Sequence, residues 1–249
     1  MEWFPTFEWF EEYRDSLASN RRFLDRSEGW GGGFDGDFVF QVNRVPTNRH
    51  TLSEFPDDLL LLESMPDWIW DDVPDDVERD VKEQAADSPV YEVFDIVEDE
   101  TRERLPEELR EVLEEAEELF DSDPTYDEVP DELSDRLREH LPVHLENLLG
   151  QLEEYVTDDH KVFAYMGFED GRPVEIDMLG SADERDVGFV LKGPYGFWRE
   201  FVDGDDDIVD TVLAGDLHPV GDMALLLEYT DAFLEMGETA QRVETRYIF

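Results

Sequence analysis

The chain of 249 residues contains no cysteine, and its only lysines are Lys82, Lys161 and Lys192. The first absence excludes disulfides and thiolate nucleophiles and suits a reducing compartment. The second leaves no lysine-rich patch to hold a phosphate backbone or an anionic bilayer, which argues against nucleic acid and anionic lipid surfaces as partners. Long apolar runs are missing too. Nothing approaches the ~20 residues of a membrane span, so no integral insertion is expected. The opening MEWFPTFEWFEEYRD places acids where a signal peptide carries bases, and the expected location is the cytoplasm.

What is present in excess is acid. Sixty-eight Asp+Glu against 20 Lys+Arg give a formal net charge of −48. Charges of that density repel one another across the ~30 Å screening length of 0.01 M salt but are masked within ~3 Å at 1 M. The surface is that of a protein made for molar salt, as in the cytoplasm of salt-accumulating halophiles. The charge thus reports a habitat rather than a ligand. With 40% hydrophobic and 12% aromatic residues the chain can bury one good core or two smaller ones.

Composition shifts along the chain. Residues 46–155 hold 37 acids and eight bases, a local net of −29, with almost no strand-like alternation. A proline-acid start recurs there, in FPDDLLLL at 55–62, MPDWIW at 65–70, VPDDVERD at 73–80, LPEELREVLEEAEELF at 105–120 and VPDELSDRLREHL at 129–141. Proline at the first helical position loses no hydrogen bond, and first-turn acids meet the positive end of the helix dipole. The segment is therefore predicted to be a set of short helices. Leu109, Val112, Leu113, Ala116 and Leu119 form one helical stripe, and Leu133, Leu137, Leu141, Leu145, Leu148 and Leu152 another.

The flanks carry strands. GDFVFQVNR at 36–44 puts Phe38, Phe40 and Val42 on one face. The stretch 161–179 reads as a hairpin about Glu169, Asp170 and Gly171, with Val162, Ala164, Met166 and Phe168 facing Val174, Ile176 and Met178. A further strand, 186–193, ends at a Gly-Pro. PYGFWREFVDG and DDDIVDTVLAGDL then read as short helices, the second with an acidic first turn and a stop at Gly215, and 223–236 reads as one amphipathic helix capped by Asp222.

Catalytic signatures are weak. His140 and His144 have the spacing of a zinc pair, but Pro142 lies between them and no third ligand is indicated. Asp158, Asp159 and His160 look like a solvated turn. No G-x-S-x-G elbow, P-loop or dinucleotide fingerprint occurs, and Gly31, Gly32 and Gly33 lack the strand and helix a phosphate loop needs. No catalytic residue, metal or cofactor is assigned.

The order of pieces carries more. A strand runs into G-P-Y-x-x-W-x-x-x-x-x-G with Trp198; a short helix closes on Gly215 and Leu217; and Gly221, Asp222 and Met223 step into an apolar helix. Ahead of these stand a helix at 5–24, Gly29-Trp30 and the strand at 36–44. Together they resemble the sterol carrier protein type 2 (sterol transfer) family over residues 1–45 and 156–249, with 46–155 as an acidic helical insertion that the family normally lacks. The resemblance implies an α+β fold, a mixed five-stranded sheet covered by helices around an apolar tunnel, and non-catalytic carriage of a fatty acyl chain or isoprenoid lipid. The tunnel wall would be drawn from Phe197, Trp198, Phe201, Leu213, Leu217, Met223, Leu226, Leu227, Phe233 and Leu234. The alternative is an interaction or accessory module in which the same side chains fill the core and a protein partner docks on the insertion or the aromatic helix.

Overall fold

The computed structural model describes residues 2–204 and 208–249, without the side chains of Asp57, Val209 and Asp210. The chain divides into two compact units, Met1–Pro46 with Glu154–Phe249, and Thr47–Glu153.

The first unit is α+β. Its strands are β1 (Glu2–Phe4), β2 (Phe38–Asn43), β3 (Lys161–Glu169), β4 (Arg172–Leu179), β5 (Phe189–Pro194), β6 (His218–Gly221) and β7 (Thr245–Tyr247). Five of them form a mixed sheet in the order β4-β3-β2-β5-β6, in which only β2 and β5 run parallel. A small second sheet pairs β1 with β7 in parallel. Alternation along β2 sends Phe38, Phe40 and Val42 to one face, where they are buried. The hairpin turns at Asp170 and Gly171, both with positive φ, and Gly171 is required because a Cβ there would meet the Ser27 carbonyl oxygen at 2.1 Å. The register shifts between Gly167 and Phe168, so Phe168 faces Pro173, and Val174 is 48% exposed rather than facing inward as expected.

Two long helices expected from the sequence are each broken. The helix expected over 5–24 is Phe7–Ser19 followed by Arg21–Arg26, with Asn20 ending one and capping the other through Oδ1, which accepts from the amides of Arg22 and Phe23. The helix expected over 223–236 is Met223–Glu228 followed by Thr230–Ala240. Asp222 caps its start as expected, accepting from the amides of Ala224 and Leu225. The acidic start anticipated at Asp205–Asp207 lies outside the described residues. β6 was not foreseen: His218–Gly221 lies where the sequence suggested only a connection, and it supplies the fifth strand at the edge beside β5.

The second unit is helical, and its only β-type pairings among the described residues are isolated bridges at Thr51–Thr125 and Leu61–Pro89. The proline-acid starts are real, but Pro66, Pro74 and Pro106 stand one place earlier than expected, at the cap rather than inside the first turn. Leu109, Val112, Leu113, Ala116 and Leu119 all lie on the buried face of Glu107–Ser122. The second leucine stripe is buried as well, but it crosses separate elements, among them Asp135–His140 and Val143–Tyr155.

Candidate functional site

The core of the first unit is aromatic. On the sheet Phe38 stacks on Phe40 and on Phe189, with centroids 5.8 and 5.2 Å apart. The helix Phe7–Ser19 adds Phe10 and Tyr13 against Phe40. The helix Tyr195–Val202 follows β5 directly, started by Pro194 with its fixed φ, and adds Trp198 edge-on to Phe40 at 6.2 Å. Its buried stripe is Tyr195, Trp198, Phe201 and Val202. Phe197 lies beside that stripe and is 37% exposed, so it stands outside the wall in which it was expected with Trp198 and Phe201.

Among these rings and the helix Thr230–Ala240 lies an apolar cavity of about 20 Å³. Trp9, Tyr13, Phe40, Leu191, Trp198, Phe201, Phe233 and Met236 are among its walls. Its polar groups are already committed to the protein. The Trp9 indole donates to Thr245 Oγ1 at 2.8 Å, the Tyr13 hydroxyl to the Met236 carbonyl at 3.1 Å, and the Trp198 indole to the Gln41 carbonyl at 3.2 Å. Burial also pushes the Tyr13 phenol well above its ordinary pKa. The lining therefore offers a ligand dispersion and exclusion of water, with no acid, base or nucleophile turned toward it. The volume is that of roughly one water-sized probe.

One wall is thin. Ile208, at the start of the short helix Ile208–Ala214, lies against Gly237, where a Cβ would come within 3.0 Å of the Ile208 Cβ and Cγ2. A side chain there would press on Ile208, so glycine is favoured by close approach rather than by backbone angle.

The ten residues proposed for the tunnel wall are scattered. Trp198, Phe201 and Phe233 line the cavity. Leu217 and Leu226 are buried away from it, and Leu234 is half-buried. Leu213, Met223 and Leu227 are exposed by 79%, 43% and 72%, and with Phe197 they do not line it. The break at Tyr229 is the reason for two of these: it reorients Met223–Glu228, so the apolar spacing carried through 223–236 does not define one face. The residues that sequence reasoning missed include Trp9, Tyr13, Phe40, Leu191, Ile208, Met236 and Gly237. Period-four spacing of Trp9 and Tyr13 was the available signal.

Pro142 ends the helix Asp135–His140, so His140 and His144 stand on different helices, and His140 Nδ1 lies 2.7 Å from the Arg136 carbonyl oxygen. Asp159 pairs with Lys161 and accepts from Thr157, contacts that hold its carboxyl below the usual range. Among the described residues no three His, Asp or Glu side chains are grouped to hold a metal, and no helix is long and apolar enough to cross a membrane.

No family model matches the chain, and no curated protein matches it in sequence. Two solved structures overlap with part of it. One is a conserved hypothetical protein of Thermus thermophilus, described as possibly a sterol carrier protein, at 20% identity and a TM-score of 0.31 over 35% of this chain and 61% of that one. The other is a sterol carrier protein 2, at 21% identity and a TM-score of 0.31 over 34% of this chain and 65% of that one. The chain thus spans less than two thirds of either, and overlaps so small leave the functional reading to the site itself.

Proposed function

We propose that the α+β unit binds a hydrophobic ligand, a fatty acyl chain or isoprenoid lipid, without catalysis, in a cavity that opens from the closed form described above. The observation that carries this is the cavity lining, in which the Trp9, Tyr13 and Trp198 polar groups are all bonded within the protein, beside a wall that rests on the Ile208–Gly237 contact. A carrier on this scaffold has to alternate between closed and open. An empty apolar tunnel of ~300 Å³ would cost about 7 kcal/mol at ~24 cal/mol per Å³. A chain of ~14 methylenes, at ~0.8 kcal/mol each, returns about 11 kcal/mol and holds it open. Residues 47–153 are proposed to be an insertion that plays no part in the cavity.

The test is extraction of protein purified in molar KCl, with mass spectrometry of the extract and thermal unfolding with added acyl or isoprenoid lipid. Co-purifying lipid near one per chain, or a saturable rise in Tm, supports the reading; neither appearing overturns it. A second reading, an interaction module with a filled core, is favoured by the small cavity volume of about 20 Å³. It predicts no lipid and no shift.

A further inference from the structure

A polar groove of about 460 Å³, separate from the apolar cavity, opens between the two helices that meet at Asn20 and the end of Thr230–Ala240. It is lined by Ser16, Ser19, Asn20, Arg21, Arg22, Thr239 and Arg242. Three arginines in one concavity are unexpected in a chain where acids outnumber bases 68 to 20. Elsewhere Arg79, Arg104, Arg136, Arg138 and Arg185 each reach a carboxylate. Arg21 and Arg22 form no ion pair with any described residue, and both are exposed to the groove.

Beneath them the floor is a fixed network. Glu235, 1% exposed, accepts from Arg26 at 2.9 Å and from Asn20 Nδ2 at 3.2 Å. Thr239 Oγ1 receives Asn20 Nδ2 at 2.8 Å and Arg242 Nη2 at 2.9 Å, and donates to the Glu235 carbonyl at 2.6 Å. Arg242 is drawn on one side by Glu235 at 3.8 Å and on the other by Glu238 at 3.6 Å. One guanidinium is thus held in place while two others stand free at the rim. Planar guanidinium forks match the oxygens of a phosphate in pairs, and the Ser16 hydroxyl adds a short donor, while that of Ser19 donates to the Ser16 carbonyl at 3.0 Å. Buried Glu235 and exposed Glu238 offset Arg26 and Arg242, so the charge of Arg21 and Arg22 remains for a ligand.

We infer that this groove binds the phosphate group of an anionic ligand, with Arg21 and Arg22 as its charged partners and Arg242 fixing the adjoining wall. The inference stands apart from the lipid reading, because it rests on none of the cavity residues.

The experiment is calorimetric titration with phenyl phosphate in molar KCl at constant ionic strength, together with flotation of vesicles of phosphatidylcholine with or without phosphatidic acid. Saturable binding of phenyl phosphate by the full chain is expected, weakened at least tenfold in the double variant Arg21→Gln/Arg22→Gln and unchanged in Arg172→Gln, which removes a charge outside the groove. The double variant should keep the parent Tm. Binding seen only on phosphatidic acid vesicles, and lost in the double variant, assigns the same phosphate chemistry to a lipid headgroup. Absence of binding in both arms, or equal binding by parent and double variant, overturns the inference.

Discussion

The Trp198 indole nitrogen donates to the Gln41 carbonyl oxygen at 3.2 Å, tying the helix after β5 to the middle strand of the sheet. Trp198 is 5% exposed and faces both Phe40 and Phe201. Trp198→Ala is therefore expected to lower stability by about 3–5 kcal/mol, the usual cost of truncating a large buried aromatic. Trp198→Phe keeps most of the volume and removes the hydrogen bond to the Gln41 carbonyl, at about 1 kcal/mol. Denaturant unfolding in molar KCl measures both. Equal stability of Trp198→Ala and parent would remove Trp198 from the core.

Tyr13 makes the fold sensitive to alkali. A free phenol ionises near pH ~10, and burial raises that of Tyr13. Below pH ~10 both folded and unfolded chains keep the proton, and stability does not depend on this group. Above it the unfolded chain loses a proton that the folded chain retains, so stability falls by about 1.4 kcal/mol per pH unit until the folded phenol also ionises. Tyr195, raised mainly by burial, adds to the slope in the same direction. Tyr13→Phe should flatten the decline of Tm above pH ~10. An unaltered slope would show that Tyr13 ionises freely in the folded protein.

Four strands of the sheet and the helices of residues 47–153 were legible because each follows from short-range chemistry. Phe38, Phe40 and Val42 alternate with period two, and the Asp170-Gly171 pair marks its turn. What the sequence hid was direction. Asn20 and Tyr229 interrupt apolar patterns that continue past them, since neither residue is a strong breaker, and the breaks moved Met223 and Leu227 into solvent. β6 carries proline and glycine, which argue against a strand by propensity, yet it pairs with β5 as an edge. Of the candidate wall, Trp198, Phe201 and Phe233 could be read from helical spacing. The partners that close the cavity, Tyr13, Leu191 and Ile208, lie far apart in sequence, and only the folded chain shows them together. The arginine groove was masked by a composition in which net charge conceals local charge.

Salt dependence follows from −48 formal charges on 249 residues. Dialysis from molar KCl to ~0.01 M lengthens screening from ~3 to ~30 Å and exposes most carboxylates to one another. Circular dichroism should record a loss of helix and a lower Tm. A Tm that holds constant across the range would refute the halophilic reading of the composition.

Excision tests the proposed insertion. At one end of the β2–β3 ladder Asn43 pairs with Lys161, and the Val45 amide donates to the His160 carbonyl at 2.9 Å, so the end of β2 and the start of β3 lie side by side, with residues 154–160 left between the cut and the ladder. A short Gly/Ser linker in place of residues 47–153 can span that gap. The expected product is soluble, with the near-ultraviolet aromatic signal of the core retained. Aggregation, or loss of that signal, would show that the α+β unit needs the removed residues.

Gly237 offers the most direct test of an opening wall. A Cβ at this position would meet the Ile208 Cβ and Cγ2 at 3.0 Å and the Phe201 ring at 3.3 Å. The Phe201 ring can turn aside, but the Ile208 Cβ is fixed to its backbone, so relief requires the helix Ile208–Ala214 to shift outward. Alanine also gains about 1 kcal/mol of helix propensity over glycine, while overpacking costs about 1–3 kcal/mol. Gly237→Ala should therefore lower stability by about 1 kcal/mol and, if this helix is the moving wall, hasten uptake of a fluorescent acyl probe in stopped-flow mixing. Ile208→Ala separates the two effects. It removes Cγ2 and the rest of the side chain beyond Cβ from the contact, costs about 2–5 kcal/mol as a core truncation, and should accelerate uptake further. Uptake that is equally fast in the parent and both variants would place the entrance elsewhere, even if stability falls as expected.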